Sequence, residues 1–329
     1  MKKPISLVTG GAGFIGSHTV DTLVKNDHEV RIIDNLTNSD LSNLKKHKNN
    51  LSVKFEKIDI NSLNNNSIFK DIDYIYHFAG IGDIVPSIEN PHRYIETNLN
   101  GTIKLLENAR NLKLKKFVYA ASSSCYGLAK TPTNESHEIN TEYPYALSKY
   151  FGEQACFHWS KVYGLSVNSI RIFNAYGRRV KTTGAYGAVF GVFLKQKIKN
   201  KPFTIVGDGN QSRDFIFATD VAEAFYLAAK TKYVNQIYNL GNGNPKTINY
   251  IADLIGGDKT YIPERPGEPK CTWADITKIT DHLNFKSKVS IENGVKIMLE
   301  NIDDWNSAPL WDKNSIEKAT SNWFKYLDK

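Results

Sequence analysis

Two residues four positions apart, Tyr145 and Lys149, have the types and the spacing of an acid–base pair. They lie in a stretch with a helical pattern, where a spacing of four puts both side chains on one face. A lysine ammonium beside a phenol stabilises the phenolate and so lowers the pKa of the tyrosine from its usual value of roughly 10. The pair predicts a general acid and base, although any helix can carry these two residues by chance.

Three consecutive serines, Ser122, Ser123 and Ser124, stand where the fifth predicted strand ends. In open α/β sheets, ligands bind outside the carboxyl ends of the strands, so these hydroxyls should face the same crevice as the tyrosine. One of them can hold a reacting hydroxyl and pass its proton to Tyr145. The residues do not decide between Ser122 and Ser123 as the catalytic serine, and serines at a strand end also form ordinary turns.

A glycine turn, with Gly10, Gly13 and Gly16 in VTGGAGFIGS, follows the first predicted strand and opens the first predicted helix. Glycines let the backbone approach a pyrophosphate, and the start of the helix offers free amides and a partial positive charge to that anion. This position predicts a dinucleotide site with a nicotinamide cofactor. A tight strand-to-helix turn without a ligand needs some of the same glycines.

An acidic residue, Asp34, ends the second predicted strand, where a carboxylate accepts the ribose hydroxyls of the adenosine half. It would repel a 2′-phosphate, and no arginine follows directly, so we expect NAD rather than NADP. The alternative for Asp34 is a solvated turn residue. Asp59 ends the third predicted strand and is suited either to the adenine amine or to the N-cap of a helix.

The elements that must position these residues alternate along the first half of the chain. Short apolar runs alternate with amphipathic helical stretches, a pattern typical of a parallel sheet with helices on both faces. The predicted strands are Ile5 to Thr9, Val30 to Asp34, Val53 to Ile58, Tyr74 to Ala79, Lys116 to Ser122 and Ser166 to Phe173; the clearest predicted helices are Phe14 to Lys25, Pro91 to Asn111 and Tyr143 to Tyr163.

The predicted fold class is therefore α/β, a doubly wound parallel sheet of the Rossmann kind with a smaller C-terminal α/β substrate-binding region. We expect residues 1–174 to form the NAD-binding domain and residues 175–329 mainly the substrate region, with segments near 215–255 returning to the sheet. Glycine-rich turns around Gly184 and Gly207 and a proline-rich stretch from Pro263 to Pro269 mark the less regular second half.

The composition of the chain narrows the classes of protein to which it can belong. The chain has 329 residues, 42 Lys and Arg against 34 Asp and Glu, and dispersed basic residues, which favours anionic small ligands over nucleic acid. Its three cysteines are widely spaced, so we expect neither disulfides nor a metal site. Glycines interrupt the apolar stretch behind the first lysines, which argues against a signal peptide or a membrane span and favours a cytoplasmic enzyme.

Several ordered motifs together resemble the extended short-chain dehydrogenase/reductase family, and within it the NAD-dependent sugar-nucleotide epimerases and dehydratases, most of all the UDP-glucose and UDP-N-acetylglucosamine 4-epimerases. The resemblance covers almost the whole chain. Its motifs are TGGAGFIGSH, DNL after the second strand, HFAG, AASSSCYG, YPYALSKYFGEQ, RIFNAYGRR, GDGNQSRDF and RPGEPKCTWADITK.

The resemblance implies roles for further residues. The residues expected to bind NAD are Gly10, Gly13, Phe14, Ile15, Gly16, Asp34, Asn35, Asp59, Ile60, Phe78, Ala79, Gly80, Asn98, Tyr145 and Lys149. The residues expected to bind the sugar nucleotide are Ser124, Asn174, Arg213, Arg265, Glu268 and Thr272. Among these, Arg213 and Arg265 match a pair that clamps the diphosphate, a task suited to the fork of donors in guanidinium.

Two positions depart from the family pattern. Glu268 stands where the family often carries aspartate against the nucleotide ribose, so preference for uridine is expected rather than fixed. Thr272 matches a position where a bulky tyrosine accompanies preference for plain hexoses, and the smaller threonine leaves room for an N-acetyl group.

The resemblance implies epimerisation at C4 of a UDP-hexose, UDP-N-acetylhexosamine or UDP-uronic acid through a transient 4-ketose, by a homodimer. The nearest alternative is a 4,6-dehydratase, but Ser123, Ser124 and Cys125 stand where such enzymes carry an acidic pair. Decarboxylation or another NAD-dependent change of a sugar nucleotide is also open. A non-catalytic NAD sensor is a more distant alternative, since fold does not fix function.

Overall fold

The computed structural model describes residues 2–64, 67–181, 189–265 and 267–327. Its strands are β1 (Ile5–Thr9), β2 (Glu29–Asp34), β3 (Val53–Lys57), β4 (Tyr74–His77), β5 (Lys116–Ser122), β6 (Val167–Ile172), β7 (Asn174–Tyr176), β8 (Phe203–Val206), β9 (Ser212–Arg213), β10 (Phe215–Phe217), β11 (Gln236–Leu240), β12 (Lys246–Thr247) and β13 (Lys259–Ile262). Its α-helices are α1 (Phe14–Lys25), α2 (Ile84–Glu89), α3 (Pro91–Ile95), α4 (Gly101–Ala109), α5 (Pro144–Tyr163), α6 (Val189–Ile198), α7 (Ala218–Lys230), α8 (Ile248–Ile255), α9 (Thr277–Leu283), α10 (Ile291–Glu300) and α11 (Lys313–Leu327).

Seven strands form one sheet in the order β11-β6-β5-β4-β1-β2-β3, and every neighbouring pair is parallel. The strand order reverses beside β1, because the chain moves outward through β2 and β3 and then returns to β4 on the other side. A crevice opens at such a reversal, at the carboxyl ends of the strands. The predicted α/β fold class is confirmed.

Buried clusters cover both faces of the sheet, which explains why β1 and β5 are buried along almost their whole length rather than on alternate residues. One cluster joins Val8 and Ile32 to α1 and α7, and the other joins Leu7 and Phe117 to α4 and α5. The predicted strands are confirmed with shifts of one or two residues at some ends, and α1 has the predicted bounds.

The predicted helix from Pro91 to Asn111 is helical as far as Ala109, but it is not a regular α-helix throughout. A π-helical segment, Glu96–Asn100, separates α3 from α4 and contains Asn98. A π-segment adds a residue to a helical turn and is often found at functional sites, and apolar periodicity does not reveal it.

The second half of the chain divides between the sheet and a separate core. Strand β11 pairs with β6 at the sheet edge, and α7 packs in the cluster that covers the sheet. A third cluster, built around Phe193, Phe203 and Trp305, joins α6, α8 and α10. The strand pairs β7–β10, β9–β12 and β8–β13 lie outside the main sheet.

The predicted turn around Gly184 and the proline Pro266 lie outside the described residues, whereas Gly207 directly follows β8 with φ of 62°. Of the helices in the described ranges, none is both long and apolar enough to cross a membrane.

Candidate active site

The glycine turn between β1 and α1 leaves no room for side chains. A Cβ on Gly16 would lie 2.2 Å from the carbonyl oxygen of Gly10, and one on Gly10 would lie 2.7 Å from the amide nitrogen of Ala79. Gly13 caps α1, and no described side chain accepts a hydrogen bond from the first amides of this helix. These amides and the helix dipole fit the pyrophosphate of a dinucleotide.

Asp34, at the end of β2, is 7% exposed and holds the glycine turn. Its carboxylate accepts hydrogen bonds from the Ala12 amide at 3.0 Å, the Leu36 amide at 2.9 Å and the Ser39 hydroxyl at 2.6 Å. It is therefore not the solvated turn residue of the alternative interpretation. A carboxylate fixed beside the glycine turn is suited to the ribose hydroxyls of a dinucleotide.

Asp59 caps the short 3-10 helix Ile60–Ser62 by accepting a hydrogen bond from the Asn61 amide at 2.8 Å. Its other oxygen accepts one from the side-chain amide of Asn35 at 2.7 Å, so the ends of β2 and β3 are tied together. The N-cap role is confirmed, and Ile60 is buried beneath it. The contact of Asp59 with adenine stays a prediction.

Asn98 fixes the loop that follows β4, which contains Phe78, Ala79 and Gly80. Its amide group donates to the Ile81 carbonyl at 3.0 Å and accepts from the Ile81 amide at 2.8 Å. It also donates to the Ser148 hydroxyl on α5 at 2.9 Å. Asn98 thus joins the loop predicted to contact NAD to the helix that carries Tyr145 and Lys149.

A buried chain of polar groups that sequence reasoning missed supports the same loop. The Thr9 hydroxyl accepts from the Ala79 amide at 3.1 Å and contacts Nδ1 of His77 at 2.7 Å. Nε2 of His77 contacts the Thr102 hydroxyl at 2.9 Å, and burial lowers the pKa of His77 to about 3. The ring is therefore neutral. The signal available in the sequence was a histidine at the end of an otherwise apolar strand.

Tyr145 and Lys149 lie in the first two turns of α5, which begins at Pro144. Lys149 is 8% exposed, with its Nζ 4.5 Å from the centroid of the Tyr119 ring, and burial lowers its pKa to about 8. Burial also raises the pKa of Tyr145, against the lowering effect of a hydrogen bond from Ser122. The expected lowering of the tyrosine pKa by Lys149 is therefore wrong for the described residues, because desolvation of the phenol is the largest influence.

The three serines differ in their contacts. The Ser122 hydroxyl lies 2.7 Å from the Ser124 hydroxyl and caps the 3-10 helix Ser123–Tyr126. Ser122 lowers the pKa of Tyr145, and Ser124 lowers that of Tyr143, in each case against the larger effect of burial. Within the described ranges, the hydroxyl of Ser123 makes no hydrogen bond. Of the three serines, Ser122 is therefore the one that acts on the phenol of Tyr145.

The two predicted clamp arginines meet at one carboxylate. Arg213, on β9, is 8% exposed and donates through Nη2 to Oε1 of Glu268 at 2.7 Å. Nε of Arg265, in the loop after β13, lies 3.3 Å from Oε2 of the same residue. Neither arginine is a freely exposed surface charge, and the structure brings Arg213 next to Glu268, which lies 55 positions further along the chain and three positions after Arg265.

Asn174 and Thr272, also predicted to contact the sugar nucleotide, are brought together as well. The Thr272 hydroxyl donates to the side-chain oxygen of Asn174 at 2.8 Å. Asn174 begins β7, directly after the last strand of the predicted first domain.

Four further residues around Tyr145 were missed. The Tyr94 hydroxyl donates to the Gly82 carbonyl, and its ring meets the Tyr145 ring edge-on at 6.3 Å. The ring of Tyr143 stacks on that of Tyr145, with 6.4 Å between the ring centroids. The ring of Trp323, on α11, packs against Tyr143 with the same distance between centroids, 6.4 Å. Asp83 follows Gly82 with φ of 75°. Aromatic residues have many structural uses, so their types alone gave no signal.

The fold and this site define a class of protein, the dinucleotide-dependent enzymes that pair a catalytic tyrosine with a lysine on one helix. Comparison with known proteins gives the family. Residues 6–241 match the model of the NAD dependent epimerase/dehydratase family, and the chain belongs to this family.

Named relatives agree with the predicted class of reaction. A putative UDP-glucose 4-epimerase of Methanocaldococcus jannaschii is 37% identical over 300 residues, covering 88% of this chain and 95% of the relative. A UDP-N-acetylglucosamine 4-epimerase of Methanobrevibacter ruminantium, solved with UDP-N-acetylmuramic acid, has a TM-score of 0.85 and 34% identity and covers 92% of this chain and 100% of its own.

The structure of a UDP-glucuronic acid 4-epimerase of Bacillus cereus, in complex with UDP-glucuronic acid and NAD, has a TM-score of 0.85 and 31% identity, and covers 91% of this chain and 99% of its own. The predicted family, the NAD dependence and the class of enzyme, a sugar-nucleotide epimerase, are confirmed.

Proposed function

We propose that this protein inverts the configuration at C4 of a UDP-sugar. The observation that carries the proposal is that Ser122, at the end of β5, and Tyr145, at the start of α5, lie at the carboxyl end of the sheet, beside the loop that Asn98 fixes and the buried Lys149. Acid–base groups thus lie next to the predicted cofactor site. UDP is the expected nucleotide because the relatives named above act on or bind UDP-sugars.

The glycine turn, Asp34 and the loop from Phe78 to Gly80 hold NAD, which when bound supplies a hydride acceptor and donor for C4. Ser122 orients the 4-hydroxyl and passes its proton to the oxygen of Tyr145. Lys149 lies one helical turn further along α5 and is assigned to the cofactor, because its Nζ lies 3.7 Å from the position of a Cβ on Gly80, in the loop predicted to contact NAD. When C4 is reduced from the opposite face, Tyr145 returns the proton through the same hydroxyl.

The two arginines hold the substrate at a place separate from the chemistry. Glu268 contacts both guanidinium groups, and a diphosphate offers them more oxygen acceptors than one carboxylate does. A clamp on the diphosphate leaves the 4-ketose free to turn over between the two hydride transfers. Binding free energy is therefore obtained away from the reacting ring.

The test is to incubate the purified protein with UDP-hexoses, UDP-N-acetylhexosamines and UDP-hexuronates and to assign the products by mass and NMR. We expect a product of unchanged mass with inverted C4 and no net formation of NADH. A product lighter by one water would identify a dehydratase instead, and loss of carbon dioxide from a hexuronate would identify a decarboxylase. No change at C4 in any substrate contradicts the proposal.

The division of labour between the halves of the chain is part of the proposal. Cofactor binding is assigned to residues 1–174 with segments near 215–255, supported by β11 at the edge of the sheet and by α7, which packs in the cluster that covers the sheet. Sugar-nucleotide binding is assigned mainly to residues 175–329, supported by the position of Arg213 and Arg265 outside the sheet.

The assembly we propose is a cytoplasmic homodimer that pairs through α5 and the helical segment before it. Phe151, Val162 and Tyr163 are 40%, 53% and 45% exposed on α5, and contact between two subunits would remove these apolar side chains from water. Light scattering of the purified protein tests the dimer. A monomer that retains full activity would contradict it.

A further inference from the structure

The last helix of the chain places an aromatic side chain at the arginine clamp. Trp323, on α11, is 4% exposed, and the guanidinium carbon of Arg265 lies 5.5 Å from the centroid of its ring system. The ring of Trp323 also packs against Tyr143, with 6.4 Å between the ring centroids. Trp323 therefore lies between a residue predicted to bind the diphosphate and the tyrosine that stacks on Tyr145.

Helix α11 is fixed by two contacts in the turns that precede Trp323. Ile316 packs with Val206 and Ile262, and Ile262 ends the strand that leads into Arg265. Further along the helix, the side-chain amide of Asn322 donates to Glu89 of α2 at 3.0 Å. One helix thus joins the strand pair β8–β13 to the short helix that follows the loop after β4.

We propose that Trp323 is a positioning residue for the substrate, which holds Arg265 in the clamp and Tyr143 against Tyr145. This inference rests on the proposed function, because it assigns to α11 the placement of groups that bind a sugar nucleotide. It adds a part of the chain to the substrate site that the motifs of the first 280 residues do not include.

The physical reason lies in the planar guanidinium of Arg265. An aromatic face attracts the cation and shields it from water, which limits its orientations and strengthens its interaction with an anion. Glu268 approaches Nε at one edge of the guanidinium, with its Oε2 3.3 Å away, whereas Trp323 lies against the guanidinium carbon. The ring of Trp323 restrains the plane so that its donors converge with those of Arg213 on one ligand.

The test measures binding of UDP to the full-length protein by calorimetry, in parallel with KM and kcat for the UDP-sugar that it epimerises. Trp323→Leu keeps an apolar side chain but removes the aromatic face, and it should weaken UDP binding by about tenfold. KM should rise by a similar factor with a smaller fall in kcat. Trp323→Phe, which retains an aromatic face, should recover most of the affinity.

Tyr326→Leu is the matched control, because Tyr326 lies on the same helix with 52% of its surface exposed. It should bind UDP like the wild type. A double variant distinguishes an effect of Trp323 through Arg265 from a general structural effect. Trp323→Leu combined with Arg265→Ala should bind UDP no more weakly than Arg265→Ala alone. Independent losses that add would overturn the inference.

A second pair of variants tests the position of α11 without changing the buried side chain of Trp323. Asn322→Ala and Glu89→Ala remove the hydrogen bond between α11 and α2, and each should weaken UDP binding by a smaller factor. Unchanged UDP affinity in Trp323→Leu, or in both of these variants if Trp323→Leu does not fold, overturns the inference. Wild-type protein that does not bind UDP at all would instead contradict the proposed function.

Discussion

The cofactor side and the sugar-nucleotide side of the site are built in different ways. On the cofactor side, Gly10, Asp34, Phe78 and Ser122 each lie at or directly after the end of a sheet strand, so parallel pairing brings them to one edge. On the other side, the groups come from separate segments outside the sheet and meet through side-chain charges, as Arg213 and Arg265 do at Glu268. Backbone geometry fixes the first side, and electrostatic pairing fixes the second.

The two sides also differ in the surroundings of their charged groups. Burial keeps His77 neutral and lowers the pKa of Lys149 to about 8, so the chemistry takes place among poorly solvated groups. The clamp instead pairs two arginines with one carboxylate. We therefore expect substitutions on the sheet side to lower kcat, and substitutions in the clamp to raise KM and to weaken UDP binding.

The largest effect should come from Tyr145→Phe, which removes the phenol oxygen but keeps the ring. Loss of a general acid and base lowers kcat by about 10²-fold to 10⁴-fold. The affinity for UDP, measured by calorimetry, should not change, because the clamp is untouched. Tyr143→Phe is the matched variant, since it removes the neighbouring hydroxyl from the stacked pair, and it should lose far less kcat. Equal losses of kcat in the two variants would contradict the assignment of the acid–base step to the hydroxyl of Tyr145.

A smaller effect, and of the opposite kind, is expected from Arg213→Ala. The loss of charge-assisted hydrogen bonds to a diphosphate, about 1.5–3 kcal/mol, corresponds to a weakening of UDP binding by roughly tenfold to a hundredfold. NAD content should stay at the wild-type level. Arg178→Ala, which breaks the more exposed ion pair with Asp304, serves as the control. A variant that binds UDP normally but has lost kcat would place Arg213 on the chemical side.

The same difference explains what could be predicted from the sequence. The turn after β1, Asp34 and the pair on α5 are local patterns whose meaning follows from their place on a strand or a helix, and they were located without a structure. The clamp arginines were found only through the family resemblance, because no local periodicity connects β9 with the loop after β13.

Other parts of the site could not be predicted because they depend on tertiary contacts. The π-helical segment that contains Asn98 has the same apolar periodicity as a regular helix, so its bulge is invisible in the pattern. The direction of the pKa shift at Tyr145 depends on how much protein surrounds the phenol, which neighbours in sequence do not report. Trp323 reaches Tyr143 across more than half of the length of the chain.

The smallest and most selective effect should come from Asp83→Asn, at the point where the loop after β4 leads into α2. The carboxylate of Asp83 raises the pKa of Tyr145, because a second negative charge nearby disfavours the phenolate. Its removal should lower that pKa, so the limb of the pH–rate profile at which the phenol must ionise moves to lower pH. Asp83→Glu keeps the charge and should move this limb less. The affinity for UDP should be unchanged in both variants, because Arg213 and Arg265 are untouched. A pH–rate profile that shifts to higher pH in Asp83→Asn would show that Asp83 does not act on the phenol through charge.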